Sequence, residues 1–202
     1  MQDGTGPPTD TRTESRKERF RVLAEAQLPR LYSVARRLAG GQAEDAVQEA
    51  LLRAYRAFDT LADPAAGSGW LMSILINVCR DRARADARRP GEVDIDDAES
   101  FSLFRTIADE DPLPYSDSLH LDFLQTFGTE DVRQVLMKLP LLYRTPLVLV
   151  HMQGFATKEV ARILDVPLGT VLARLHRGRK LFERTLWEYA QENGLLREGV
   201  SR

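Results

Sequence analysis

The spacing of apolar residues is the feature of this sequence that most restricts its fold. In residues 43–58 (AEDAVQEALLRAYRAF), Val47, Leu51 and Ala54 recur every three or four positions, as on one face of an α-helix. Residues 69–89 show the same spacing, and no run in residues 19–90 alternates apolar and polar residues as a strand would. The pattern therefore predicts a small bundle of α-helices here.

Charge is distributed unevenly along the 202 residues, although the net charge is only −2. Residues 91–131 hold twelve acidic residues and one basic residue, whereas residues 20–90 carry a net charge of +3 and residues 132–202 one of +6. This asymmetry indicates two polyanion-binding domains joined by a segment that does not bind the same polyanion. A chance distribution of solvated surface charge is the alternative interpretation.

Composition shifts and helical spacing divide the chain into five parts. We predict an all-α fold with a disordered tail at 1–18, a helical domain at 19–90, an acidic linker at 91–128, a second helical domain at 129–190 and a C-terminal tail at 191–202. In the second domain the predicted helices are 129–138, 141–152, 157–164 and 169–189.

Several classes of protein are excluded by what the sequence lacks. No apolar run is long enough to span a bilayer, and the N-terminus has no basic-then-apolar signal. Cys79 is the only cysteine, so an internal disulfide or a cysteine-rich zinc site is excluded. The three histidines are far apart, and neither a P-loop nor a dinucleotide-binding glycine pattern is present. We therefore expect a soluble, cytoplasmic protein that is not an enzyme and that binds no metal or cofactor.

Residues 154–186 (GFATKEVARILDVPLGTVLARLHRGRKLFERTL) have the pattern of a helix-turn-helix. Two helices are joined by the short connection DVPLG, in which Asp165 occupies the position that requires a left-handed backbone. Thr170 follows the turn and is predicted to cap the second helix. Positions 170, 173, 174 and 177 are predicted to share its exposed side, where side chains reach base edges in a major groove. A basic, solvent-facing helix without a DNA-binding role is the alternative.

The two helical blocks together resemble bacterial sigma factors of the extracytoplasmic-function (ECF) group. AEDAVQEALLRAYRAF with GWLMSILINVCRDRARADARRP is similar to sigma domain 2, and LPLLYRTPLVLVHMQGFATKEVARILDVPLGTVLARLHRGRKL is similar to sigma domain 4. The blocks stand in the order of the family and are separated by a linker similar to the family's. RGRKLFERTLWEYAQENGLL and EDPLPYSDSLHLDF are most similar to the oxidative-stress-type branch.

The resemblance implies a promoter-specificity subunit rather than an enzyme. Such a subunit binds core RNA polymerase, recognises a −35 element as duplex with domain 4, and captures and melts a −10 element with domain 2. A base flipped out of the stack needs a pocket with accessible backbone groups and a polar side chain.

Carried onto this sequence, the resemblance implies three sets of site residues. Arg174 and Arg177 are the principal −35 contacts, with His176 next, while Leu172 and Ala173 depart from the basic residue and serine common in the family. The −35 set is Thr170, Ala173, Arg174, His176, Arg177, Arg179 and Lys180, of which Arg179 and Lys180 are assigned to phosphates. The −10 set is Ala65, Ala66, Gly67, Ser68, Asn77, Arg80 and Arg84. The core-polymerase set is Asp45, Gln48 and Glu49.

The resemblance also implies a regulatory partner. Family members are commonly held inactive by an anti-sigma factor, and in the oxidative-stress-type branch such partners are often zinc-binding and thiol-based. The acidic linker is expected to occupy polymerase channels that otherwise hold nucleic acid.

Two other functions remain compatible with parts of the sequence. One is a helix-turn-helix regulator that binds duplex DNA as a dimer without polymerase, which leaves residues 43–89 unexplained. The other is a structural helical adaptor that uses the amphipathic faces alone.

Overall fold

A computed structural model describes residues 11–87, here called the N-terminal lobe, and residues 127–195, the C-terminal lobe. The described residues form helices joined by turns, with no strand among them, which confirms the all-α prediction. Most of the predicted linker lies outside these residues. The helices are α1 (Thr11–Ala39), α2 (Ala43–Ala57), α3 (Gly67–Ala87), α4 (Thr129–Lys138), α5 (Leu141–Leu147), α6 (Thr157–Leu164) and α7 (Leu168–Glu192).

The N-terminal lobe is a bundle of three helices that pack through the predicted apolar faces. On α2, Ala46, Ala50 and Ala54 are fully buried and four positions apart, so a row of methyl groups lets the neighbouring helices approach closely. Leu71 and Leu75 on α3 are also fully buried. Each buried leucine stabilises the fold by about 1.5–3 kcal/mol relative to an exposed one.

The first helix begins at Thr11, so the predicted disordered tail is wrong over its second half. Arg16 docks this extension onto α2 by donating a hydrogen bond from Nη2 to the carbonyl oxygen of Tyr55 at 2.6 Å. Phe20 packs edge-on against the ring of Tyr55, with 5.2 Å between the centroids. These contacts stabilise the extra turns, whereas residues 1–10 lie outside the described residues.

The C-terminal lobe packs α7 across α4, α5 and α6. A Cβ at Gly178 would lie 3.0 Å from Cδ1 of Leu147, so the absence of a side chain permits this approach of α7 to α5. Near the end of α7, the hydroxyl of Tyr189 donates a hydrogen bond to Oδ1 of Asp131 on α4 at 2.7 Å. The predicted helix at 141–152 is present, but its second half is a π-helical turn.

The two lobes pack against each other in one continuous apolar core. Helix α1 contacts α4, and α3 contacts α6. At this seam a Cβ on Gly40 would lie 3.0 Å from Cε of Met137, and the φ of Gly40 is +57°. Gly40 ends α1 as predicted, and its lack of a side chain also leaves room for the other lobe.

The central position of α3 in the core gives a stability prediction. Leu75→Ala should lower the free energy of unfolding by about 2–5 kcal/mol, because it leaves a cavity among fully buried side chains. Leu52→Ala is the matched control: Leu52 is 59% exposed, so its loss should be about 0.5 kcal/mol or less. Urea denaturation of both variants measures the difference, and equal losses would contradict the assignment of the core.

A second prediction concerns the only cysteine. Burial raises the pKa of the Cys79 thiol to about 11, against the opposing charges of Arg82 and Arg144. Relative to a thiol of pKa 9.0, the reactive thiolate is therefore about a hundredfold scarcer near pH 8. Labelling with Ellman's reagent should be at least that much slower in the native protein than in urea; equal rates would show that Cys79 is accessible.

Candidate nucleic-acid interface

Helices α6 and α7 form the helix-turn-helix that the sequence predicted. Asp165 has a φ of 52°, the left-handed conformation expected at this position. The N–H of Val166 donates to the carbonyl oxygen of Ala161 at 3.1 Å, which closes the end of α6. The buried side chains of Val160 and Val171 hold the two helices against the rest of the lobe.

The start of α7 differs from the prediction at Thr170. Helix α7 begins at Leu168 after Pro167, so Thr170 is its third residue and does not cap it. Proline suits the position before the first turn because it has no N–H to satisfy there. Thr170 lies half-buried inside the first turn.

The prediction that Ala173 and Arg174 lie on the exposed side of α7 is wrong. Ala173 is 9% exposed and Arg174 is 5% exposed. Helical spacing explains Arg174, since it comes three residues after buried Val171 and four before buried Gly178. These three residues share the face that packs into the lobe.

The remaining predicted −35 residues keep contact with solvent. His176, Arg177 and Arg179 are half-buried, and Lys180 is exposed. Leu172 is 42% exposed on the same helix, so it stands at the surface as an apolar side chain. An exposed leucine beside cationic residues suits apolar contact with a thymine methyl group, a role that was not predicted from the sequence. The first half of α7 therefore presents cationic side chains together with the exposed apolar side chain of Leu172.

The predicted −10 residues fall into two groups that do not form one pocket. Ala65 and Ala66 are exposed in a short turn, where Oδ1 of Asp63 accepts a hydrogen bond from the N–H of Ala65 at 2.9 Å. Gly67 is buried because Leu23 packs against it. Ser68 is half-buried and donates a hydrogen bond to Oε1 of Gln27 on α1 at 3.0 Å.

The second −10 group lies further along α3. Asn77 and Arg84 are exposed, and Arg80 between them is half-buried, so the three share one polar face of α3. Nine residues separate Ser68 from Asn77, which at about 1.5 Å and 100° per residue places them on opposite sides of the helix, roughly 13 Å apart along its axis. Asn77 is thus positioned with the arginines rather than with Ser68.

Of the three predicted polymerase-binding residues on α2, two are exposed to solvent and one forms ion pairs within the lobe. Asp45 and Gln48 are exposed. Glu49 is half-buried and pairs with Arg53 at 2.5 Å and with Arg82 on α3 at 3.1 Å. Glu49 therefore connects α2 to α3, and the free polar surface of α2 is centred on Asp45 and Gln48.

Two further features concern metals and membranes. Within residues 11–87 and 127–195, no group of histidine, cysteine and acidic side chains could hold a metal ion. Over the same ranges, none of the helices is long and apolar enough to cross a membrane.

Comparison with known families agrees with the two-lobe architecture. The Sigma-70 region 2 family matches residues 23–89, and the Sigma-70 region 4 family matches residues 129–182. The first match covers α2, α3 and most of α1, and the second covers the helix-turn-helix. Both regions occur in this chain in the order predicted from the sequence.

Individual relatives extend over most of the chain. It is 29% identical over 175 residues to the ECF RNA polymerase sigma factor SigW of Bacillus subtilis, covering 84% of this chain and 90% of SigW. It is 31% identical over 155 residues to the ECF RNA polymerase sigma-E factor of Escherichia coli K12, covering 74% of this chain and 76% of that protein. These relatives are transcription factors rather than enzymes.

The fold is also similar to a solved structure, that of the sigma factor RpoE in complex with the anti-sigma factor NepR from Bartonella quintana. The TM-score is 0.60 with 22% sequence identity, covering 83% of this chain and 96% of the other. Both Sigma-70 regions are present in order, and the chain is 31% identical to a relative of which it covers 76%. The chain therefore belongs to the ECF RNA polymerase sigma factors.

Proposed function

We propose that this chain binds core RNA polymerase and directs initiation by reading a −35 element with α7 and a melted −10 element with α3 and the turn before it. The supporting observation is that one chain contains both a cationic helix-turn-helix and a separate polar face on α3. A stand-alone helix-turn-helix regulator would leave that second face without a function.

In the C-terminal lobe, we assign base reading to Arg177 and phosphate contacts to Lys180. Arg177 keeps contact with solvent on α7 as a half-buried side chain, and its guanidinium has the two-pronged geometry that guanine recognition requires. Lys180 is exposed and presents a point charge suited to a phosphate. His176 is next to Arg177 in the sequence, and Arg179 is next to Lys180. Arg174 lies within the lobe and supports the position of the helix.

In the N-terminal lobe, the exposed face of α3 suits single-stranded DNA. Asn77 offers a donor and an acceptor for a base edge, and Arg80 and Arg84 follow it along the same face for phosphates. Ala65 and Ala66 present exposed backbone without bulky side chains. Bases of a melted strand that hydrogen-bond at either group would regain part of the few kcal/mol that unstacking costs.

Two protein partners follow from the same proposal. Core RNA polymerase is assigned to the free surface of α2 at Asp45 and Gln48. An anti-sigma factor is assigned as the regulator, supported by the resemblance of the fold to RpoE solved with NepR. Zinc binding by that partner rests on the resemblance to the oxidative-stress-type branch alone.

Transcription from a genomic library tests the proposal. Core polymerase alone and core polymerase with this chain are incubated with fragments of the source genome, and the 5′ ends of the transcripts are sequenced. We expect a small set of new start sites that share upstream elements and depend on the chain. Transcript ends that are identical with and without the chain would refute the function.

Substitutions on α7 separate base reading from phosphate binding. In holoenzyme on a promoter found above, Arg177→Ala should cost about 1–3 kcal/mol of binding and relax the preference at one −35 position. Lys180→Ala is the matched control: it should weaken binding to all sequences equally and lower the slope of the salt dependence by about one. Competition binding with −35 variants measures both, and an unchanged preference in Arg177→Ala would remove that assignment.

A further inference from the structure

Helix α1 extends beyond the part of the chain that matches the Sigma-70 region 2 family. The match begins at residue 23, whereas α1 begins at Thr11. The turns between these points carry Arg16, Arg19 and Arg21. None of the three arginines belongs to the DNA-binding surfaces assigned above.

The charges of these three arginines are engaged differently. Arg16 pairs with Asp59 at 3.0 Å, and Arg21 lies between two carboxylates of its own helix at 2.6 and 2.9 Å. Arg19 is exposed, and no carboxylate among the described residues forms an ion pair with it. The positive charge of Arg19 is therefore available to a partner in solution.

Aromatic side chains connect Arg19 to the start of α3. The guanidinium carbon of Arg19 lies 5.8 Å from the centre of the ring of Phe58, the residue after α2. The centre of the Phe58 ring is 5.3 Å from that of Phe20 and 6.4 Å from that of Trp70. Phe20, Phe58 and Trp70, here called the ring row, are all half-buried, so each keeps part of its surface in solvent.

The ring row meets the polar face of α3 at Trp70. Trp70, Asn77 and Arg84 follow one another at intervals of seven residues. At 100° per residue, seven residues complete two helical turns to within about 20°, so the three side chains lie along one line of the helix. The face assigned to the melted strand therefore continues through Trp70 and the ring row to Arg19.

Contacts within the N-terminal lobe hold the α1 extension beside the predicted −10 residues. Leu23, one turn after Arg19, packs so closely on Gly67 that a Cβ there would lie 2.9 Å from Cδ1 of Leu23. One turn later, Oε1 of Gln27 accepts a hydrogen bond from the hydroxyl of Ser68 at 3.0 Å. The position of Arg19 relative to the start of α3 is thus set by this lobe alone.

Cations beside aromatic rings suit single-stranded nucleic acid of any sequence, because bases stack on the rings and phosphates pair with the cations. Steps of 6.4 and 5.8 Å separate the Trp70 ring from the Arg19 guanidinium. At 3.4 Å per stacked nucleotide, this path is no longer than about four nucleotides. A strand that leaves the polar face of α3 at Trp70 therefore reaches Arg19 within that length.

We propose that Arg19 and the ring row form a further single-stranded DNA site, which holds the melted strand just downstream of the −10 element. This site rests on the proposed function. Because the −35 element is bound as duplex and lies upstream, the strand continues in single-stranded form only on the downstream side. Arg19 binds a phosphate there, and the exposed parts of the rings stack against bases.

Forked promoter DNA measures the contribution of Arg19. Two fluorescein-labelled probes carry the −35 duplex of a promoter found above and a single strand that ends either at the last base of the −10 element or four thymidines further on. The added nucleotides should tighten binding of the wild-type holoenzyme by on the order of tenfold. In Arg19→Ala most of this gain should disappear while binding to the shorter probe is unchanged, and the slope of the salt dependence on the longer probe should fall by about 0.7, the value for one phosphate.

Two further variants separate a DNA contact from a structural role. Arg19→Lys keeps the charge and should keep the slope of the salt dependence. Lys17→Ala is the matched control, because Lys17 is also exposed on α1 but lies about 200° around the helix from Arg19, and it should change neither probe's affinity. An Arg19→Ala holoenzyme that binds both probes as wild type does would overturn the site. An equal loss on both probes, or a loss of affinity for core polymerase, would also overturn it.

Tethered cleavage locates the strand independently of affinity. In a Cys79→Ala background, Arg19→Cys is coupled through its thiol to iron–EDTA, whose hydroxyl radicals cleave nearby DNA. In the holoenzyme on the longer probe, we expect cleavage within the four added nucleotides. Cleavage only at other positions, or none, would overturn the site.

These results distinguish the site from the proposed function. A holoenzyme that initiates normally but is insensitive to Arg19→Ala would overturn the Arg19 site and leave the proposed function standing. A wild-type holoenzyme that initiates from no promoter would contradict the proposed function and this site together.

Discussion

A guanidinium buried between two helical lobes holds this molecule in the arrangement described above. Arg144 reaches two carbonyl oxygens, one from each lobe, at 3.1 Å, and it does so without a carboxylate partner in the described part of the chain. The surrounding apolar seam excludes water, which strengthens the two hydrogen bonds and at the same time raises the cost of the charge. The free energy of this contact between the lobes is therefore a difference between favourable hydrogen bonds and the cost of burying the charge.

Some surfaces of the molecule are engaged in the contact between the lobes, and others remain exposed to solvent. Arg30 joins the start of α3 to the residues before α6, whereas Asp45 and Gln48 on α2 are exposed.

Local features could be predicted from the sequence, whereas the inter-lobe seam could not. Helical spacing, Gly40 and Asp165 predicted the helices and two of their ends, because each depends on residues close in the chain. The contact between Arg30 and Gln153 joins residues 123 positions apart, and no local pattern marks it. The burial of Arg174, by contrast, could be predicted from its helical spacing to Val171 and Gly178. Its charge nevertheless suggested an exposed position. Glu49 likewise carries the residue type expected at a protein interface but pairs within its own lobe.

The distance between the lobes, with and without core polymerase, tests this account most directly. In a Cys79→Ala background, spin labels on Arg56→Cys of α2 and Glu188→Cys of α7, both exposed positions, allow that distance to be measured by double electron–electron resonance. The contact between the lobes predicts one narrow, short distribution for the free protein, and the reading of −35 and −10 elements by separate lobes predicts a shift on the order of tens of Å once core polymerase and promoter are bound. The same distribution in both states would show that the lobes do not separate, and the assignment of two distant promoter elements to the two lobes would be wrong.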